Sequence, residues 1–358
     1  MTAIPMYPPQ RRLDPRHGTH DPVQSTPDRR PGSIRRTTSI EMLRPDGVRR
    51  DLRLHGRARD LVTGPDGGVT VVDDATMDVV VDFLDAVAVR TLATTPEVDG
   101  LQAVLGRAAA TGFRAAVDDA IGPQWRGRPV YQLLDDIPVA TLVSGYAVGF
   151  AGDLAEVAAD DERPWRRAEG MAELQVADLC AGFQTGGTIM QARAEGDARG
   201  GSHVTGPVAP DLERADDPWA MHELGSLPAD GMRRRRRIDV TQSDEHAGVV
   251  EVDALFRDTH MGDDGYETII HEYVVHATVD TDAMRFVDAE AIPHVLPWYE
   301  CPQAAASAGR LSGAPLAGLR PFVRADFLGP TTCTHLNDTL RALEDVPALV
   351  AQLRATVS

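Results

Sequence analysis

Cys301 and Cys333 are two of only three cysteines in a chain of 358 residues. Each stands where a helix is expected to begin. Pro302 suits the first turn of a helix through the Ala-rich run "PQAAASAGRLSG", and Gly313 suits its stop. The second helix, "THLNDTLRALEDV", carries Leu336, Leu340 and Leu343 on one stripe. Free N–H groups and the positive end of a helix dipole favour a thiolate at both positions. A thiolate binds soft or borderline metals or attacks electrophiles. His335 follows Cys333 by two residues. His271 lies on an expected strand, "HEYVVHATVD", sharing a face with Tyr273, Val275, Ala277 and Val279, while Glu272, Val274, His276 and Thr278 share the other. The expected ligand set is therefore Cys301, Cys333, His335 and His271, of a kind that suits zinc or an iron–sulfur centre. The bland alternative is that both cysteines are small buried hydrophobes. A second chemical reading needs no metal and makes Cys301 or Cys333 a nucleophile with His335 as base. His260, His276 and His294 read as surface or turn residues, and Cys180 as a core residue in a helix.

These residues need elements to position them. "RRIDVTQ" and "GVVEVDALFRD" form a hairpin with a polar turn at Ser243-Asp244, and "MRFVDAEAI" pairs with the His271 strand after a turn at Thr281-Asp282. The block from Gly231 to Ser358 is thus an α+β unit. An earlier block, residues 33–144, repeats parts of it. "RLHGRARD" ending at Asp60 matches "EVDALFRD" ending at Asp258 at a spacing of 198. At a spacing of 203, "FLDAVAV" at Phe83 matches "FVDAEAI" at Phe286, Gly106-Arg107 matches Gly309-Arg310, Val98 falls opposite Cys301, Val130 opposite Cys333, and Gln132 opposite His335. The expected architecture is two tandem pseudo-repeats of an antiparallel sheet with helices on one face, the N-terminal one lacking the thiols. Residues 1–32 hold seven prolines and no apolar period and are expected to be a disordered arm. Residues 145–230 are expected to be a helical segment, with stripes at Leu154, Val157, Ala158 and at Leu174, Ala177, Asp178, Ala181, followed by a Gly-rich linker.

Composition narrows the function classes. Formal charge is −18, from 54 acidic and 36 basic side chains. That balance opposes nucleic-acid binding, which depends on neutralising phosphates. No apolar run is expected to span a membrane, and the N-terminus has no secretory pattern. The chain reads as a cytoplasmic protein of open oligomeric state whose partner is a small molecule if it has one. Arg310, with its counterpart Arg107, reads as a structural ion-pair residue or as a cofactor- or substrate-binding cation. The run Arg233 to Arg237 reads as an edge strand with alternating faces, or as an anion site. "PWYECP" puts Trp298 and Tyr299 beside the cysteine, and "GFQTGG" lacks the lysine of a phosphate loop.

The motifs "VLPWYECPQAAASAGRLSG" and "GPTTCTHLNDTLRALEDV" resemble a bacterial family known as a domain of unknown function, a resemblance that implies no activity. The order of strands, Cys301, Ala/Ser-rich helix, glycine turn, further helix and Cys333 is similar to the U-type iron–sulfur cluster scaffold fold. That resemblance implies that Cys301 and Cys333 are metal ligands. It leaves the scaffold's first cysteine without a match, His271 near the place of its aspartate, and Thr332 where a ligand histidine often stands. Whether the chain is an enzyme, a metal protein or a non-catalytic accessory protein stays open on these grounds.

Overall fold

The computed structural model describes residues 6–8, 17–47, 50–83, 86–150, 177–195 and 204–357. Among these residues nine strands form one antiparallel sheet in the order β1-β9-β8-β7-β6-β2-β3-β4-β5. They are β1 (Thr19–His20), β2 (Ser33–Leu43), β3 (Leu52–Thr63), β4 (Val69–Asp82), β5 (Ala88–Thr95), β6 (Met232–Gln242), β7 (Val249–Met261), β8 (Glu267–Asp280) and β9 (Arg285–Leu296). The expected hairpins β6–β7 and β8–β9 both form, and the α+β class holds. The helices are α1 (Phe113–Ala120), α2 (Pro129–Val143), α3 (Gly145–Phe150), α4 (Thr188–Ala194), α5 (Leu319–Asp326), α6 (Thr334–Ala342) and α7 (Val346–Val357).

One finding changes the picture of two separate sheets. Strand β2 pairs with β6 along its length, from Ser33↔Thr241 to Met42↔Met232, so the two four-stranded meanders make one continuous sheet. The arginine run is therefore a central strand, not an edge. The period of two puts Arg234 and Arg236 toward the helices and Arg233, Arg235 and Arg237 toward the opposite face. That face is crossed by residues 204–231 and by the N-terminal segment. All five arginines are buried. An edge would have left their charges to water; a central strand covered on both sides gives each one a carboxylate or carbonyl partner instead.

Matching backbone positions recur in the two halves. The β4 and β8 strands both have 14 residues. Register bulges fall at Val80/Val81 and Thr278/Val279, which are 198 apart. The 203 register, in contrast, needs correcting. Val89 accepts from Gly106 N–H and donates to Arg107 O; Phe286 accepts from Gly313 N–H and donates to Ala314 O. Gly106 and Gly313 are left-handed alike, at φ 75° and 76°. So Phe286 corresponds to Val89, not Phe83, and Ala314 rather than Arg310 corresponds to Arg107. The C-terminal half simply has a longer connection before its glycine, and Cys301 lies in that connection instead of opposite Val98. Matching by residue type slid past the extra residues.

Two apolar cores lie under the helix face. One gathers Val252, Phe256, Tyr273, Val275, Leu336 and Leu340. The other gathers Leu54, Met77, Val79, Leu133, Leu134 and Ile137. Between them, at the β2–β6 seam, runs a buried ionic layer. Arg36 donates to both oxygens of Asp60 at 2.6 Å and to Asp345 at 2.7 Å. Arg236 donates to Asp136 at 2.6 Å and Arg320 to Asp345 at 3.0 Å, and Arg341 forms an ion pair with Asp338 at 2.7 Å. Burial alone would raise the Asp338 carboxyl; Arg341, Arg234 and Arg114 outweigh it and hold it below the usual carboxylate range.

Other expectations change locally. Residues 17–32 are ordered: β1 pairs with the end of β9, and Thr26 donates to Leu212 O at 2.6 Å. A polar, proline-bearing segment needs only backbone partners to dock on a sheet edge. Residues 1–5 and 9–16 of that arm lie outside the described residues, as do residues 151–176 with the stripe at Leu154, Val157, Ala158 and Leu174. The described middle has the short helices α3 and α4, while Cys180 and Ala181 begin a 3₁₀ turn instead of facing a helix stripe. "CPQAAASAGRL" is also a 3₁₀ helix, not an α-helix. The stretch Pro129–Phe150, spanning α2 and α3, is long and apolar enough to cross a membrane, contrary to expectation. The most apolar 18-residue window of it is 72% buried, because α2 forms the floor of the N-terminal core.

Candidate metal site

The strand pairing decides which side chains meet. Asp258 stands directly opposite His271 in the β7–β8 register, at a bulge. Both project to the helix face. Helix α6 then lays His335 over them: the His271 and His335 rings stack at 3.6 Å between centroids and 17° between planes. His335 Nε2 is 3.9 Å from Asp258 Oδ2. Donor atoms of Asp258, His271 and His335 all lie within 4.8 Å of one another. Asp258 is fully buried and accepts from Arg234 through both oxygens, at 2.9 and 2.8 Å. Arg234 also reaches Asp338 at 3.2 Å and lies over the Phe256 ring.

Both imidazoles are neutral near pH 7. Burial, then Arg234, pushes His335 down to about 3. Burial, then His335, pushes His271 well below its ordinary value. The neutral ring is the form that ligates metals. Nδ1 of His271 is buried and makes no hydrogen bond. The donor set is one carboxylate and two imidazoles, the borderline chemistry that zinc accepts.

The cysteines sit beside this group and do not belong to it. Cys333 is the N-cap residue of α6, and its Sγ is 3.9 Å from His335 Nδ1. Glu300, not Cys301, caps the 3₁₀ helix, and Cys301 is its first residue. The thiols of Cys301, Cys333 and Cys180 all lie near the buried Tyr273 hydroxyl. The expected dipole activation does not prevail. Burial raises Cys301 well above its ordinary value and Cys333 to about 12, because a thiolate in an apolar core has lost its water and gained no cation. Cys180 is likewise raised by burial.

Arg310 is exposed at the far end of the same 3₁₀ helix. It donates to Thr331 Oγ1 at 2.7 Å and lies over the Phe327 ring, bonds that hold a loop. Neither it nor Arg107, which reaches only the Ala103 carbonyl at 3.4 Å, makes the expected ion pair among the described residues. Trp298 is buried against the Cys301 region, while Tyr299 is exposed. His276 is exposed as expected, and His294 donates its Nδ1–H to the Asp21 carbonyl at 2.9 Å. His260 is not a surface residue: it is fully buried against Tyr146 and Phe150. Sequence reasoning missed Asp258 and Arg234 as parts of the site. The signal was present in the Arg–Asp pairs Arg36–Asp60 and Arg234–Asp258, each member 198 from its counterpart.

No curated protein and no solved structure matches the chain. Residues 232–349, about a third of its length, match the model of a family described as a protein of unknown function, DUF2889, and this span holds Arg234, Asp258, His271, Cys301, Cys333 and His335.

Proposed function

We propose that the chain binds a single zinc-class ion in its C-terminal half, through His271, His335 and Asp258. The observation that carries this reading is the convergence of those three donors within 4.8 Å, two of them as neutral imidazoles. Asp258 keeps its bonds to Arg234 and still has lone pairs to offer, since a carboxylate provides about four acceptor sites. Cys333 is the nearest soft donor and would join as a fourth ligand only after losing its proton to the metal. A bound ion with an open position supplies Lewis acidity or an activated water to a small-molecule substrate.

An iron–sulfur cluster fits the donors less well. Clusters are held by about four thiolates, or by two with two histidines, and Cys301 stands outside the donor group. The likeness to the scaffold fold rests on element order alone. A metal-free thiol enzyme would use the relay Cys333–His335–Asp258, with both gaps at 3.9 Å; the protonated thiol and weakly basic imidazole weigh against it. We also read the two halves as products of a duplication, supported by the matching bulges and left-handed glycines, in which the N-terminal half is structural.

The test is elemental analysis of the full chain after zinc loading and dialysis, beside His271→Ala/His335→Ala. About one equivalent is expected in the wild type and none in the folded double variant. Equal metal content in both would overturn the assignment.

A further inference from the structure

The face of the sheet away from the helices is covered unevenly. Leu212 and Met221 pack on Leu255 of β7 and Val274 of β8, which stand opposite each other in register. The next pair along that face is Asp253 and His276, followed by Glu251 and Thr278, and there the apolar cover ends. The polar pattern continues onto the neighbouring strands. Asp239 and Thr241 of β6 stand opposite Asp253 and Glu251, and Glu290 and Asp288 of β9 stand opposite His276 and Thr278. Over these residues lies a cavity of about 430 Å³, lined also by Pro27, Asp28 and Arg30 of the N-terminal segment. Its volume is that of a small-molecule site.

The charges of the cavity are not balanced. Arg35 donates to Asp239 at 2.6 and 2.8 Å, Arg237 to Asp253 at 2.8 Å, and Arg30 to Glu251 at 2.8 Å, while Asp28 is held by Arg214. Asp288 and Glu290 are exposed and pair with no cation among the described residues. A second observation points into the same space. Thr241 is only 8% exposed, lines the cavity and makes no side-chain hydrogen bond among the described residues. Polar groups this deep are nearly always partnered, so an acceptor is left for something that enters the cavity.

Spacing decides which kind of cation fits. Side chains on one face are about 5 Å apart across strands and about 7 Å apart along them. Among the described residues, the group of three donors within 4.8 Å is Asp258, His271 and His335, on the other face. The carboxylates of the cavity are therefore too dispersed to surround magnesium or calcium, which takes about six oxygens around one point. They match positive charges strung along a flexible chain.

We propose that this cavity binds a linear polyamine, with ammonium groups on Asp288 and Glu290 and a further N–H donated to Thr241 Oγ1. The metal reading is not needed for it, because the metal donors project to the helix face. The experiment is calorimetric titration of the full chain with spermidine at low salt, repeated with magnesium chloride. Saturable binding of spermidine and none of magnesium is expected. Asp288→Asn/Glu290→Gln should bind spermidine about ten-fold or more weaker, and Thr241→Val about five-fold weaker. Asp74→Asn/Glu97→Gln removes the same charge from exposed positions at the β4–β5 end of the sheet and should bind as the wild type does. Equal weakening in the two double variants, or magnesium binding as tightly as spermidine, would reduce the effect to general counterion attraction and overturn the proposal. No binding by the wild type, or affinity unchanged in both cavity variants, would overturn it as well.

Discussion

Mild acid should destabilise this protein before its carboxylates begin to titrate. His335 and His222 are both pushed down to about 3, first by burial and then by arginines: Arg234 for His335, Arg59 and Arg57 for His222. In the unfolded chain an imidazole titrates near 6.5. A depressed folded value means that the unfolded state takes up protons first. The stabilisation is complete above about pH 6.5 and is lost as pH falls toward the folded value. Each pH unit inside that window costs up to about 1.4 kcal/mol per imidazole, so a drop from 6.5 to 5 withdraws about 2 kcal/mol for each and about 4 kcal/mol for the pair. His271 adds to the same slope. Urea unfolding at pH 6.5, 6 and 5 measures it, with the midpoint falling and the slope of each curve unchanged. His222 supplies an internal control, because its ring bonds only Thr37 and Ser39 hydroxyls, at 2.9 and 2.7 Å, far from the metal donors. His222→Asn should lower stability at pH 7 yet flatten the pH dependence. A midpoint constant from pH 6.5 to 5 in the wild type would refute the argument. An unflattened slope in His222→Asn would remove His222 from it.

Two more perturbations test the core. Arg36→Met leaves Asp60 buried without its cation, and Asp345 with Arg320 alone, and should cost about 3–5 kcal/mol in urea unfolding, whereas Arg30→Met, whose partners Asp244 and Glu251 are exposed, should cost less than about 1 kcal/mol; equal costs would sink the claim that the seam is energetically distinct. Alkylation by iodoacetamide at pH 8 should be slow at all three cysteines of the native chain and fast in urea, because the buried thiols stay protonated. One native thiol labelled at its unfolded rate would contradict the raised values at Cys301 and Cys333.

The sequence showed the periodic parts of this architecture. Alternation in "HEYVVHATVD" placed His271 and Tyr273 on one face, and the leucine stripe of α6 placed His335 over it, because both patterns are set locally by backbone geometry. What stayed hidden depends on long-range pairing. Nothing in "RRRRR" distinguishes an edge strand from a central one until β2 is known to lie beside it. Nor does a cysteine at a helix start reveal its burial: the dipole pulls its proton off, desolvation holds it on, and only the packed structure shows that desolvation wins. Asp258 was overlooked for a related reason. Its neighbour Arg257 points to the opposite face and pairs with Glu272, so the two adjacent charges of "FRD" serve different layers.

The two halves share a frame and diverge at the donors, which bears on where chemistry is possible. Asp60 and Asp258 are both held by an arginine of the central strands. Opposite Asp60 the N-terminal half has Asp73, and opposite Asp258 the C-terminal half has His271. Asp73 is taken up by Arg128 at 2.8 Å through both oxygens. Gln132, on α2, accepts from Arg320 at 3.4 Å. The N-terminal set is therefore closed: each carboxylate has its guanidinium. In the C-terminal set a neutral ring stands where the N-terminal half has a carboxylate, α6 adds a second ring, and neither brings a cation with it. Asp258 keeps one arginine and gains two lone-pair donors beside it. A dication entering there adds charge where the frame has none to spare on the N-terminal side, so Asp73→His alone should not create a second site while Arg128 remains. Adding Arg128→Gln to that change should raise bound zinc above one equivalent; a rise without it would mean that ring placement, not local charge, governs binding.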